Sequence, residues 1–234
     1  MELIDRVFSD YYHQYIVIEA DDLTENFKDQ IAVHNDDCFA LCSSFIDSEG
    51  ALKFNVLGIG SSWQRCTRGL RRRKMLGILN ADEVADKDSR LITPDMRMLR
   101  KNTEWILEQE KYADTDLIAT RNDSRLDNVR DYDYPDIVEV GILHKDRIRE
   151  YGMLVTGFNG PFLEGTLAEE PMPAIGIHQN TLIRALPYQV EDTFRLLAIF
   201  TGDHLSRKDQ KAMQELIKEG TASGFGFSDG IMKS

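Results

Sequence analysis

The chain has 234 residues, 42% hydrophobic and 29% charged, with a formal net charge of −12. That length suits one well-buried core, or one core carrying an insertion, and the composition excludes a disordered chain. No stretch approaches the roughly 18 to 20 apolar residues of a membrane span, Met1 to Arg6 lacks a signal-peptide layout, and three cysteines predict a reducing compartment without a disulfide framework.

In chain order, residues 1 to 20 carry helical spacing at Leu3, Val7, Tyr11 and Tyr15, although Tyr15 to Glu19 reads equally well as a short strand. From Thr24 to Phe45 the stripe Phe27, Ile31, His34, Cys38, Leu41, Phe45 steps by three and four and predicts one α-helix with His34 facing inward. Asp47 to Gly50 predicts a turn, and Leu52 to Gly58 alternates as a strand does. Arg65, Arg68, Arg71, Arg72, Arg73 and Lys74 follow Trp63 and form a dense basic patch, either a solvated helix face or a track for an RNA backbone.

Arg90 to Thr93 predicts a strand and Asp95 to Lys111 a helix. Ile137 to Ile142 and Thr193 to Thr201 predict further strands, the second buried on both faces, and Ser206 to Glu219 predicts a helix stopped by Gly220. Between those strands, residues 152 to 190 hold four of the six prolines and five glycines, which predicts an irregular loop or lid. Residues 221 to 234 read as a linker, leaving one domain over 1 to 220.

The overall negative charge argues against holding nucleic acid by bulk electrostatics, but not against a nuclease whose metal ions carry the positive charge. His34 with Asp95, Asp127 and Glu139 offers one imidazole and three carboxylates, a donor set for hard divalent cations such as Mg²⁺ or Mn²⁺. Three of them have an ordinary structural alternative: a core histidine at His34, an N-cap aspartate at Asp95, and an acidic surface loop holding Asp127, Asp131, Asp133 and Asp136; Glu139, between Val138 and Val140 in a short apolar strand, is not expected to be buried without a partner. A zinc site of His34, Cys38 and Cys42 fails on a helix, where the outer α-carbons would stand roughly 12 Å apart.

Three segments carry a family resemblance. Ile31 to Phe39 running to Asp47, Leu126–Asp127 through Val138–Glu139–Val140–Gly141–Ile142, and Leu196 to Asp203 are, in that order, similar to the cap-snatching endonuclease at the N-terminus of the orthomyxovirus polymerase acidic subunit. The resemblance implies an α/β fold: a twisted mixed β-sheet flanked by α-helices, with a PD-(D/E)xK-type nuclease core. It implies two Mn²⁺ or Mg²⁺ ions held by His34, Asp95, Asp127, Glu139 and the Val140 carbonyl, one activating water and the other stabilising the leaving oxygen. It implies single-stranded capped RNA as substrate, the other subunits of a heterotrimeric viral polymerase as partners, and the host cell nucleus as location, with no membrane.

This sequence departs from the family pattern at the catalytic lysine. Counting about fifteen residues on from Glu139 reaches Leu154, and the nearest substitutes are Lys145, Arg147 and Arg149. A catalytically inactive homologue therefore stays open, as does a bunyavirus-type register with Asp95 and Glu108 as the acidic pair. A different class of function is also open: Leu52 to Leu57 and the strand-helix pair from Leu196 suit a metal-free small-molecule sensory domain of the GAF type.

Overall fold

The computed structural model describes residues 1–20, 36–66, 75–93, 104–144, 147–172, 174–190, 193–199, 211 and 215. The chain is α/β, with two mostly antiparallel sheets and few helices. It divides into two compact units where the sequence predicts one domain over 1 to 220. The first holds Met1–Ala113 with Tyr132–Pro135, and the second holds Asp114–Asp131 with the described residues from Asp136 onward.

In the first unit, the strands are β1 (Tyr15–Glu19), β2 (Phe39–Ile46), β3 (Leu52–Gly60), β4 (Gly77–Asn80) and β5 (Ser89–Ile92), with short helices α1 (Phe8–Tyr11), α2 (Trp63–Cys66) and α3 (Ala81–Val84). They form one antiparallel sheet in the order β4-β3-β2-β1-β5. The β2–β3 hairpin closes at Asp47 to Gly50, where Asp47 Oδ1 accepts from Glu49 N at 2.9 Å and Ala51 N at 3.0 Å and Gly50 takes a φ of 82°, a conformation that favours glycine. A further helix, α4, covers residues 104–109.

Opposite faces of this sheet bury different groups. Ile16, Ile18, Cys42, Phe54 and Val56 pack on one face with Tyr11, Leu79 and Val84. Tyr15, Val17, Leu41 and Leu57 lie on the other, with Cys66 and the partly buried Phe39 and Trp63. The strand Phe39–Ile46 corrects the helix predicted through Phe45. As the middle strand, β2 is covered on both sides and buried without a break from Ala40 to Ile46, so its alternation is erased, and a short continuous apolar run is compatible with either helix or strand. The zinc argument, which assumed a helix through Cys42, loses that premise. Residues 24 to 35 lie outside the described residues.

In the second unit, helix α5 (Thr115–Arg121) and a 3-10 helix (Ser124–Val129) precede five strands. These are β6 (Ile137–His144), β7 (Arg147–Asn159), β8 (Phe162–Leu167), β9 (Leu182–Val190) and β10 (Thr193–Ile199), closed into a barrel in the order β10-β6-β7-β8-β9. Among the described strands of this unit, the β6–β10 pair alone runs parallel. Val138, Val140, Met153, Leu163, Ile183, Ala185 and Leu196 fill the interior, so inward residues alternate with outward ones along each strand.

The lid predicted over 152 to 190 is instead most of three barrel strands. Its glycines serve the strands: Gly160, with φ 60°, turns β7 into β8, and Gly165 stands where an added Cβ would lie 2.3 Å from the Leu154 carbonyl oxygen. The predicted strands at 52, 90, 137 and 193 are present. The helix over 206 to 219, apart from 211 and 215, and the linker over 221 to 234 lie outside the described residues.

Candidate functional site

Glu139 sits on β6 between Val138 and Val140, both fully buried. Barrel alternation therefore turns its side chain outward into solvent. There it borders a cleft of about 560 Å³ with Arg130, Asp131, Glu150, Gly152 and Glu169. In the β6–β7 ladder Glu139 faces Gly152 and Glu150 faces Gly141, so the two carboxylates are diagonal neighbours with a glycine opposite each. Glu150 is ion-paired to Arg195.

Asp127 lies on the 3-10 helix and does not line that cleft. Its charge acts on Arg130: burial lowers the Arg130 pKa, while Asp136, Asp127 and Asp123 oppose the shift. Val140 points into the barrel, paired with Tyr151. Arg65 is exposed on α2, with Nη1 donating to Ser61 Oγ at 2.9 Å. Arg147 and Arg149, substitutes considered for the lysine, are exposed on β7. Glu108 is exposed on α4 and ion-paired to Lys111. His34, Asp95, Lys145, Arg68, Arg71, Arg72, Arg73 and Lys74 lie outside the described residues. Among the described residues, no three His, Cys, Asp or Glu side chains stand together as ligands for a metal ion, so those residues alone do not fit the expected pair of ions.

A different constellation sits in the sheet unit. The register places Tyr15 opposite Ser43 and Ser43 opposite Asn55. Directly opposed residues share a face, so these side chains form one row across β1, β2 and β3, on the face of Val17 and Leu41. The row is buried: Tyr15 is 2% exposed, Ser43 1% and Asn55 0%. Ser43 Oγ, Asn55 Oδ1 and Asn55 Nδ2 have no hydrogen-bond partner among the described residues.

The next serine shows the contrast. Ser44, on the opposite face and equally buried, donates to the Tyr11 carbonyl at 2.5 Å. On the barrel strands the Tyr151 hydroxyl is buried without a hydrogen-bond partner among the described residues. In the sheet unit two adjacent side chains share the property, including both ends of one amide.

No family model matches this chain, and neither does any curated protein or solved structure. The candidate chemistry rests on geometry and sequence alone.

The sequence reading passed over the polar row. Asn55 stands in Lys53–Phe54–Asn55–Val56, where an alternating pattern assigns Asn to the solvent face. A usable signal was the Ser43–Ser44 pair inside the apolar run Phe39–Ile46, because consecutive serines on a strand put one hydroxyl on each face.

Proposed function

We propose that the sheet unit is a small-molecule-binding module of the metal-free sensory kind, with Tyr15, Ser43 and Asn55 as its recognition row. One observation carries this reading: the Asn55 amide is fully buried with neither of its polar atoms bonded among the described residues. Each such atom costs about 1 to 3 kcal/mol, so the three in Ser43 and Asn55 cost about 3 to 9 kcal/mol. That is comparable with the roughly 5 to 15 kcal/mol of a whole domain's stability. Penalties of this size are sustained where a polar surface serves binding, as in the stability–activity trade-off of functional sites.

The test is the sign of a stability change. Asn55→Leu keeps the side-chain shape and removes the amide, so it is expected to raise the stability of the ligand-free protein by about 1 kcal/mol or more in urea unfolding. A loss of stability would mean that the amide is satisfied in the native protein, and the reading falls.

A second reading is a metal-dependent endoribonuclease with a PD-(D/E)xK-type core, cutting capped RNA as part of a viral polymerase. The projection of Glu139 into a cleft shared with Asp131 and Glu150 favours it. It requires that His34 and Asp95 join Asp127 and Glu139 around the ions. On this reading Mn²⁺ at ~100 times its dissociation constant adds about 2.7 kcal/mol of stability by mass action, and Glu139→Ala removes both that gain and any RNA cleavage. An unmoved melting curve in millimolar Mn²⁺ rejects it.

A further inference from the structure

Apart from the polar row, the sheet unit sets an imidazole against a buried carboxylate. His13, just past α1, takes a φ of 56°, uncommon for a residue with a Cβ, and its ring stacks on Tyr12 with centroids 3.9 Å apart. Its Nε2 is buried and stands 3.1 Å from Glu110 Oε2. Glu110, just past α4, also accepts from Tyr12 Oη at 2.6 Å and from Ile46 N of β2 at 2.7 Å. Burial opposes its ionisation, but His13, Tyr12 and the Ile46 amide outweigh burial, so Glu110 is an anion at neutral pH.

This arrangement fixes the chemistry of the ring. The nitrogen beside a carboxylate keeps the proton, which leaves the lone pair of the neutral imidazole on Nδ1. The His13 side chain is 28% exposed, and its Nδ1 is neither buried nor hydrogen-bonded among the described residues. Nδ1 is a nucleophile open to solvent. Glu110 is placed to stabilise the positive charge that the ring gains when Nδ1 attacks.

We infer that His13 is a modification site whose Nδ1 accepts a phosphoryl group from a small phosphoramidate or acyl-phosphate donor. The Nδ1 lone pair bonds to phosphorus, the donor's P–N or P–O bond breaks, and its electron pair leaves with ammonia or the carboxylate. The ring becomes an N-phosphorylimidazolium with its Nε2 proton facing Glu110. A metal ion would need further donors, and no three His, Cys, Asp or Glu side chains stand together as ligands among the described residues. An acyl group on an open imidazole is lost to water, whereas a phosphoryl group persists there at neutral pH. Covalent attachment needs no cavity, only an accessible nitrogen.

His178 is the internal control. Its Nδ1 lies 2.8 Å from Glu170 Oε1, a similar pairing, but its side chain is 77% exposed and Glu170 is exposed as well. Solvent and salt screen that pair, so it directs neither the tautomer nor the charge.

The full chain is incubated with phosphoramidate at neutral pH, and phosphorylation of each of the five histidines is followed by mass spectrometry under alkaline conditions. His13 is expected to react at least about tenfold faster than His178, although it is the less exposed ring; a positioned acid–base group commonly gives more. Glu110→Gln keeps the side-chain shape and removes the charge, so it is expected to bring His13 down to the His178 rate while His178 itself is unchanged. Tyr12→Phe costs Glu110 one hydrogen bond and keeps its charge, so His13 is expected to stay fast. Equal rates at His13 and His178 in the parent overturn the proposal, as does a His13 rate that survives Glu110→Gln. Slowing by both variants would make Glu110 merely structural and overturn its positioning role. Acetylation of His13 by acetyl phosphate, in place of phosphorylation, overturns the phosphoryl class.

Discussion

Two buried ionic contacts show how differently single residues of like chemistry are used. Arg121 and Asp136 in the barrel unit are both buried, with side-chain exposures of 0% and 6%. Arg121 Nε and Nη2 donate to the two Asp136 oxygens at 2.9 Å and 2.6 Å. Asp136→Ala takes the bidentate carboxylate away from a buried guanidinium, so it is expected to cost about 3 to 5 kcal/mol in urea unfolding. A loss below 1 kcal/mol would show that Arg121 finds solvent or another acceptor.

Glu110 in the sheet unit is 3% exposed and accepts from Tyr12 Oη at 2.6 Å and Ile46 N at 2.7 Å, with His13 Nε2 3.1 Å away. Burial pushes its pKa up, but the close approach of His13, the bond from Tyr12 and the Ile46 amide outweigh burial and hold it below the usual carboxylate range. The native pKa is depressed, so its stabilisation is fully present above the unfolded value of about 4.3 and is lost as pH falls through the native value. Glu110→Gln should therefore be less stable than the parent at pH 7, with the gap closing as pH falls below 4. A gap that stays constant from pH 7 to 3 would rule out this linkage.

At the scale of elements, backbone proximity decides which positions tolerate change. The β7–β8 pair brings Gly165 against Val155, and a Cβ at Gly165 would meet the Leu154 oxygen at 2.3 Å and Met153 Cγ at 2.9 Å. The first contact is with backbone and cannot be relieved by a rotamer change. Gly165→Ala is expected to cost about 1 to 3 kcal/mol through overpacking, whereas at Gly50 an added Cβ meets nothing within 4 Å and the cost is set by its φ of 82°. Equal stability of Gly165→Ala and the parent would show that β7 and β8 can separate freely.

Helix ends are governed locally and are therefore readable in sequence. Asp114 Oδ1 accepts from Leu117 N at 2.9 Å to start α5. Asn80 N donates to Glu83 Oε2 at 2.7 Å in the capping box of α3. The Asp114 side chain in the first case and the Glu83 side chain in the second satisfy an amide that the helix itself leaves without a partner.

At the scale of the whole molecule, the sequence by itself determined the features that depend on near neighbours. The turn at Asp47 to Gly50, the strand from Leu52 and the apolar strands around Val138 and Leu196 were all legible, because turn chemistry and short β-branched or apolar runs bounded by turn residues leave a mark within a few residues. Only the tertiary structure decided the rest. The middle strand β2 is covered on both faces, so its pattern carries no period. The prolines and glycines of 152 to 190 resemble a loop until pairing gives them strands to turn and to bring close. Glu139 faces outward because Val138 and Val140 fill a barrel that closes through the pairing of β6 with β10, some fifty residues downstream. The buried polar row exists only through register: Tyr15, Ser43 and Asn55 lie on three different strands, and it is the antiparallel ladder that lays a phenol, a hydroxyl and an amide side by side on one buried face.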